Sequence, residues 1–570
     1  MLRAGLFATT GGGVATAPDL SDTAPSEAGR CPFRANDHRV TPWLHGGIST
    51  AVPAGPEGHD CQGVRMTTVE VRHHAMRIGG RDVDTSERHP ILDPNDGSVA
   101  ATVSIGGIEH VDAAVAAAKE TFESGVWSAI PPQERALVMR RIAAAARAVA
   151  DELIELELSA NGATIRQATG FHIGYALAHF EYFADLAESY EWQRAAPIST
   201  FPALSQSVVH REPIGVVGAI APFNFPLLLA LWKVGPALAA GNSVVVKPDE
   251  RTPLSMLEFA RIAERAGLPP GVLNVVTGTG QVAGAHLAGH PDIGKIAFTG
   301  STQVGREIMR LASGTVKQVT LELGGKGPTI VLDDADLDMA VDGVLFGCFV
   351  YSGQVCVSGT RALVPARLHD QFVERLVARA KTIVLGDTRD FDTDMGPVIG
   401  ANQQARILEY VRDAESSGAT IELGGHQPEG ERFERGFWVS PTILSGVRDD
   451  MPIAREEVFG PVLVVIAYDD DDEAVAIAND SEYGLAASIW STDNARALAI
   501  AARIQSGNVW INDAHQINCQ VPFGGYKQSG LGRELGPNAL DGYTEVKTVQ
   551  LDLSAGRTAK PFGILLGHAD

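Results

Sequence analysis

The chain has 570 residues, 45% hydrophobic and 20% charged, with a formal net charge of −23 from 46 basic and 69 acidic side chains. That apolar fraction can bury cores for more than one domain, which excludes a wholly disordered chain. The acidic balance, with no Lys/Arg cluster interleaved with aromatics, would repel a phosphate backbone and sets nucleic acid aside as a partner.

Residues 1–65 are dominated by Gly, Pro, Ala and Asp and show no apolar period, so a disordered extension is expected. The apolar run after Arg3 is too short for a secretion signal, and Asp19, Asp22 and Glu27 do not suit a transit peptide. Met66 is a candidate start of the functional chain. A strand pair over 74–83 and a turn at Asp93-Pro94-Asn95-Asp96-Gly97 follow. Apolar spacing then predicts helices over 111–123 and 132–160, the second opened by Pro131-Pro132.

Residues 214–220, 243–247, 272–276 and 295–299 read as buried strands, separated by helix-like stretches such as 253–266 and 302–311. This is the pattern of βαβ units and a parallel sheet. A second alternating region runs from 329 to about 512, with helices over 368–382 and 402–417 and a strand over 462–468. Two α/β domains with a cleft between them are expected. The uncharged stretch 214–232 is long enough for a membrane span, but Pro222, Asn224 and Pro226 interrupt it. It reads instead as strand, loop and helix. The five cysteines, Cys31, Cys61, Cys348, Cys356 and Cys519, are odd in number and form no CxxC pair. That argues against a disulfide framework and a zinc site and fits a reducing, cytoplasmic setting; no metal is expected.

Five motifs carry chemistry. Gly353-Gln354-Val355-Cys356 places a thiol in a polar stretch after an apolar run; alone, such a cysteine is more often buried filler. Glu322-Leu323-Gly324-Gly325-Lys326 puts a carboxylate at a strand end, where a general base would be held or a plain surface charge would lie. Pro222-Phe223-Asn224-Phe225-Pro226 fixes an amide in a rigid loop, as a structural turn or an oxyanion donor. Phe298-Thr299-Gly300-Ser301-Thr302-Gln303-Val304-Gly305 joins a strand to a helix N-terminus suited to a pyrophosphate. It lacks the Gly-Lys-Ser/Thr of a P-loop, which disfavours ATP. Lys247-Pro248-Asp249-Glu250 offers a cation and a carboxylate after a strand, for a ribose or for solvent.

Together, with Glu456-Glu457-Val458-Phe459-Gly460-Pro461 and the run from Pro522 to Glu534, these motifs resemble the aldehyde dehydrogenase superfamily from about residue 78 to residue 551. The resemblance implies a doubly wound Rossmann-like NAD-binding domain over 66–200 and 214–325 and an α/β catalytic domain over 326–530. It also implies a small bridging β oligomerisation arm over 201–213 and 541–553, whose open edges would be covered in a homodimer or homotetramer. Cys356 matches the nucleophile, in a site expected to favour its thiolate through nearby backbone amides or the bound cofactor's positive charge; Asn224 and the Cys356 N–H match the oxyanion hole. Glu322 matches the base that hydrolyses the thioester, and Lys233 and Glu534 match proton-relay positions that could equally be a structural ion pair. On the cofactor side the resemblance implies Ile220, Pro222, Lys247, Glu250, Gly300, Ser301, Gly305, Leu323, Glu457 and Phe459, with NAD favoured over NADP because Glu250 would repel a 2′-phosphate.

The chain departs from the family pattern at Phe223, where tryptophan is usual, and at Tyr351, where asparagine is usual. Glu322 disfavours a coenzyme A-acylating enzyme. A cysteine-dependent ester or thioester hydrolase and a non-catalytic scaffold are rivals of other classes. Leu229, Trp232, Tyr351, Val355, Val357 and Phe523 point to an apolar aliphatic or aromatic aldehyde, with a semialdehyde or betaine-aldehyde type as the alternative. His515 and Cys519 fall on the loop expected to shape the substrate entrance.

Overall fold

Strands Val216–Ile220, Ser243–Lys247 and Lys295–Thr299 of the computed structural model, which describes residues 71–567, are buried along their whole length. Helices cover both faces of their sheet, so the sequence reads as continuous Val/Ile/Ala runs without alternation. The sheet has eight strands, in spatial order Gly530–Leu531, Gln318–Glu322, Lys295–Thr299, Val216–Ile220, Ser243–Lys247, Leu273–Val275, Met76–Ile78 and Arg81–Val83. The five central strands are parallel. From Val216–Ile220 the chain winds outward through Ser243–Lys247 to Leu273–Val275, then crosses back to Lys295–Thr299 on the other side. The strand order therefore reverses between Val216–Ile220 and Lys295–Thr299, and a crevice opens at their carboxyl ends.

A second sheet has seven strands, ordered Thr420–Leu423, Thr442–Ser445, Val462–Tyr468, Arg361–Pro365, Pro328–Val331, Ala486–Trp490 and Asn508–Ile511. All of its pairings are parallel except that of the first-named edge strand. The chain then returns to the first sheet, where Gly530–Leu531 pairs antiparallel with Gln318–Glu322. A separate ribbon pairs Ser205–Pro213 with Thr544–Asp552 over nine residue pairs, with Gln193–Ala195 alongside. Val546, Val549 and Leu551 on this ribbon are more than a third exposed.

The helix expected over 132–160 is two, Pro132–Arg147 and Ala150–Asn161. Val149, at φ −124 and ψ 28, steps the chain sideways between them, and Leu153 and Leu158 of the second helix reach the core. The alanine-rich run across the break carries no cap residue to announce it. Residues 214–232 fold as the strand Val216–Ile220, a loop, and the start of the helix Pro226–Ala240, in which every residue is buried. Among the described residues, no helix is long and apolar enough to cross a membrane. The extension expected over 1–65, the candidate start at Met66, and Cys31 and Cys61 lie outside the described residues.

Candidate active site

Cys356 is delivered by an abrupt reversal at the end of the helix Leu337–Phe349. Tyr351, Ser352 and Gly353 follow at φ 50, 54 and 70, all left-handed. At Gly353 a side chain is excluded outright, since a Cβ would stand 2.1 Å from the Gly460 carbonyl oxygen. The thiol is pushed up to about 12, by burial first and then by the carboxylates of Glu457 and Glu322, while the Cys356 and Val357 N–H groups pull the other way. Burial and the two carboxylates thus favour the thiol, while the backbone N–H groups act in the direction expected from the sequence.

Asn224 lies between the strand Val216–Ile220 and the helix Pro226–Ala240, whose N1 proline fixes the exit from the loop. Its Nδ2 donates to the Gln354 carbonyl at 2.9 Å, which ties the amide to the turn carrying Cys356 and uses one of its two hydrogens. Phe223 meets Phe459 edge to face at 5.7 Å, and the Arg251 guanidinium stands 4.4 Å over its ring. The phenylalanine thus serves as a flat wall, as a larger indole would.

Glu322 ends the strand Gln318–Glu322, is 3% exposed, and has neither carboxylate oxygen hydrogen-bonded among the described residues. Burial and the nearby Glu534 charge raise its pKa well above the usual carboxylate range, against weaker pulls from Lys233 and Arg533. Beneath it Lys233 Nζ donates to Glu534 Oε1 at 2.9 Å and to Thr299 Oγ1 at 2.6 Å. Both members of this ion pair are buried. Glu534→Ala would strand the Lys233 cation, and a loss of about 3–5 kcal/mol of stability is expected in urea unfolding. Glu534→Gln, which keeps an acceptor, is expected to lose less.

Two cavities meet at Cys356. The larger, about 860 Å³, lies at the crevice where the strand order reverses. Of the expected cofactor residues, Ile220, Pro222, Lys247, Glu250 and Gly300 line it, as do Ser301, Leu323, Glu457 and Phe459. Gly305 does not; it sits within the helix Thr302–Ala312, where a Cβ would press on the Leu323 side chain at 2.5 Å, so its smallness serves packing. Lys247 and Glu250 pair at 3.1 Å. Ser301 caps its helix by accepting the Val304 N–H. A second capped turn, Thr279 with Gly280–Gly284, faces the same cleft and was missed; Gly278-Thr279-Gly280 after the strand Leu273–Val275 was the available signal. Gln403 and Arg406 reach in from the other half of the chain, with no local motif to mark them.

The smaller cavity is lined by Glu322 and by all six of the expected apolar residues, Leu229, Trp232, Tyr351, Val355, Val357 and Phe523. Phe171 and Tyr175 join them from the π-helical turn Ala168–Gly174 and the helix after it, which periodicity alone does not reveal. His515 lines it too, its Nε2 bonded to the Gly347 carbonyl at 2.9 Å and its pKa lowered to about 4 by burial. Lys233, Glu534 and Cys519 line neither cavity. Away from both, Asp112, His286 and His290 bring ligand-type atoms within 4.8 Å of one another. There His286 Nε2 meets Asp112 at 2.6 Å and His290 Nδ1 accepts the Asp292 N–H, so hydrogen bonds already engage the cluster.

A thiol shared by a dinucleotide-sized crevice and an apolar cavity, with a buried carboxylate in reach, is built for redox chemistry on a small carbonyl compound. The chain belongs to the aldehyde dehydrogenase family, whose model matches residues 82–549. The hydrolase and scaffold readings are thereby set aside. The chain is 46% identical over 459 residues to a betaine aldehyde dehydrogenase of Bacillus subtilis (strain 168), covering 80% of this chain and 93% of that one. It is 45% identical over 484 residues to betaine aldehyde dehydrogenase 1 of Oryza sativa subsp. japonica, covering 84% and 95%. Its fold is similar to the crystal structure of a Staphylococcus aureus betaine aldehyde dehydrogenase in complex with NAD+, at a TM-score of 0.83 and 38% identity, covering 85% and 95%.

Proposed function

We propose that this enzyme oxidises an aldehyde bearing a quaternary ammonium group, of the betaine-aldehyde type, to its free acid with NAD. The reading rests on the aromatic wall of the smaller cavity. Phe171, Tyr175, Phe225, Trp232 and Phe523 surround the approach to Cys356 and Glu322. A trimethylammonium group has no N–H to satisfy and is attracted to ring faces, so this lining suits it as well as it suits an apolar chain. The Tyr175 phenol pKa is raised by burial and then by the exposed Asp513, which adds negative potential beside these rings. Similarity to two betaine aldehyde dehydrogenases moves this substrate class, second in the sequence reading, ahead of the apolar aldehyde.

The crevice fits NAD. The capped turns at Ser301 and Thr279 present backbone N–H groups suited to a pyrophosphate. Lys247 and Glu250 are placed for the adenine ribose, where Glu250 would repel a 2′-phosphate and favour NAD over NADP. Glu457, raised to about 7 by burial, accepts the Gly325 N–H at 3.0 Å and keeps an oxygen for the second ribose. The bound nicotinamide supplies the hydride acceptor.

Cys356 Sγ attacks the carbonyl carbon as its proton leaves to solvent in the cleft, so Glu322 stays free for the later step. The oxyanion is met by the free hydrogen of Asn224 and the Cys356 N–H. Loss of hydride leaves a thioester on Sγ. Glu322 then takes a proton from the attacking water, the C–S bond breaks, and the acid leaves. Lys233 and Glu534 lie beneath Glu322 as a path for that proton. The exposed Val546, Val549 and Leu551 on the strand Thr544–Asp552 support a homodimer or homotetramer.

A matched pair of aldehydes tests the substrate class. Betaine aldehyde and its neutral isostere 3,3-dimethylbutanal differ only in the charged nitrogen. The cation is expected to have at least about tenfold higher kcat/KM, the equivalent of a single well-placed ring face. Equal rates, or a preference for the neutral aldehyde, would restore the apolar reading.

A further inference from the structure

Behind the reacting groups lies a buried polar cluster that the mechanism does not use. Glu157, Asn161 and His172 are 1%, 0% and 0% exposed. The Glu157 carboxylate accepts from Asn161 Nδ2 at 2.8 Å, His172 Nδ1 at 3.0 Å, Ser255 Oγ at 2.6 Å and the Leu227 N–H at 3.2 Å. Asn161 Nδ2 also stands 3.3 Å from His172 Nδ1, which closes the three side chains into one contact. His172 Nε2 has no partner among the described residues.

Two arms of this cluster reach the reacting groups from opposite sides. Leu227 is in the first turn of the helix Pro226–Ala240, so Glu157 anchors the end of the loop that carries Asn224. The His172 ring lies 4.6 Å from the Phe225 ring, next to Asn224 in sequence, and 5.1 Å edge-on from the Tyr351 ring. Tyr351 in turn donates its hydroxyl to the Asn161 carbonyl at 2.9 Å and begins the left-handed turn before Cys356. A tyrosine in that region costs on the order of 1–3 kcal/mol and persists only where its surroundings hold it.

We propose that His172, seated on Glu157 and Asn161, is a positioning residue that sets the placement of the oxyanion donor Asn224 relative to the nucleophile Cys356. It lines neither cavity and acts through Phe225 and Tyr351, which do line the smaller one. The inference rests on the thioester mechanism proposed above, because it assigns Asn224 the role that His172 supports.

The test is a double-mutant cycle. His172→Phe keeps a ring against Phe225 and Tyr351 and removes the bond to Glu157. In the full chain it is expected to slow the NADH burst about 100-fold, the scale of an ångström-sized misplacement, with NAD affinity within about twofold of wild type. Combined with Asn224→Ala, it is expected to cost nothing beyond Asn224→Ala alone, since both remove the same placement. Losses that multiply, a wild-type burst, or an equal fall in NAD affinity would each overturn the inference and leave the mechanism standing. A full-rate Asn224→Ala enzyme would instead sink the oxyanion reading, and the inference with it. If His172→Phe does not fold, Tyr351→Phe removes only the hydroxyl on Asn161 and runs the same cycle, with the same outcomes deciding.

Discussion

Cys356→Ser is expected to abolish NADH formation, lowering kcat/KM by at least about 10,000-fold, as removal of a nucleophile does elsewhere. The cause is acidity as much as nucleophilicity. Burial and two facing carboxylates already push the thiol up to about 12, and a hydroxyl in the same place is harder still to ionise. Among the described residues, the side-chain charges acting on it are carboxylates, which would oppose an alkoxide. The variant should still bind NAD, since the other crevice residues, among them Lys247, Glu250, Ser301 and Phe459, are untouched. Absorbance of NADH gives the rate, and a fluorescence titration confirms the crevice. Residual activity near a tenth of wild type would mean that another group carries the acyl chain.

Glu322→Gln separates the two half-reactions. It is expected to give a burst approaching one NADH per site and then a steady rate about 100–10,000-fold below wild type, the range of a lost general base. The pH dependence carries the sign. Burial and Glu534 raise the Glu322 pKa, so the ionised form that accepts a proton gains population as pH rises. Wild-type steady turnover should therefore climb with pH across the range in which the carboxylate ionises, and the variant should lose that limb. Stopped-flow absorbance over a pH series reads both. A Glu322→Gln enzyme at full steady rate would point to Glu457, whose charge also reaches Cys356.

Several of the strands could be read from letters alone because both sides of them are covered: runs such as Val244-Val245-Val246 admit no other period. Crevice residues such as Pro222, Glu250, Ser301 and Leu323 were legible for a different reason, that they sit in short segments immediately after strands of the first sheet, whereas Gln403 and Arg406 do not. The break at Val149 was not, since nothing in an alanine-rich run marks where packing on both sides forces a step. The Ala168–Gly174 turn escaped because a widened helical turn has no letter code, although Phe171 completes the cavity wall. The carboxylates that act on the thiol after burial, Glu322 and Glu457, could not be read from its neighbourhood, since they stand 34 places before it and 101 after it in sequence. Role assignments for single residues came from motif order, and they stand or fall with the variants above.

The strand that carries Glu322 owes its outer edge to Gly530–Leu531, with Glu322 itself paired to Gly530. More than two hundred residues separate them in the order of synthesis. During translation the cysteine and the base both emerge well before the segment that locks the base in register. A chain that stopped before Gly530 would leave the outer edge of the Glu322 strand unpaired, so the register of that carboxylate is set only when nearly the whole polypeptide has left the ribosome.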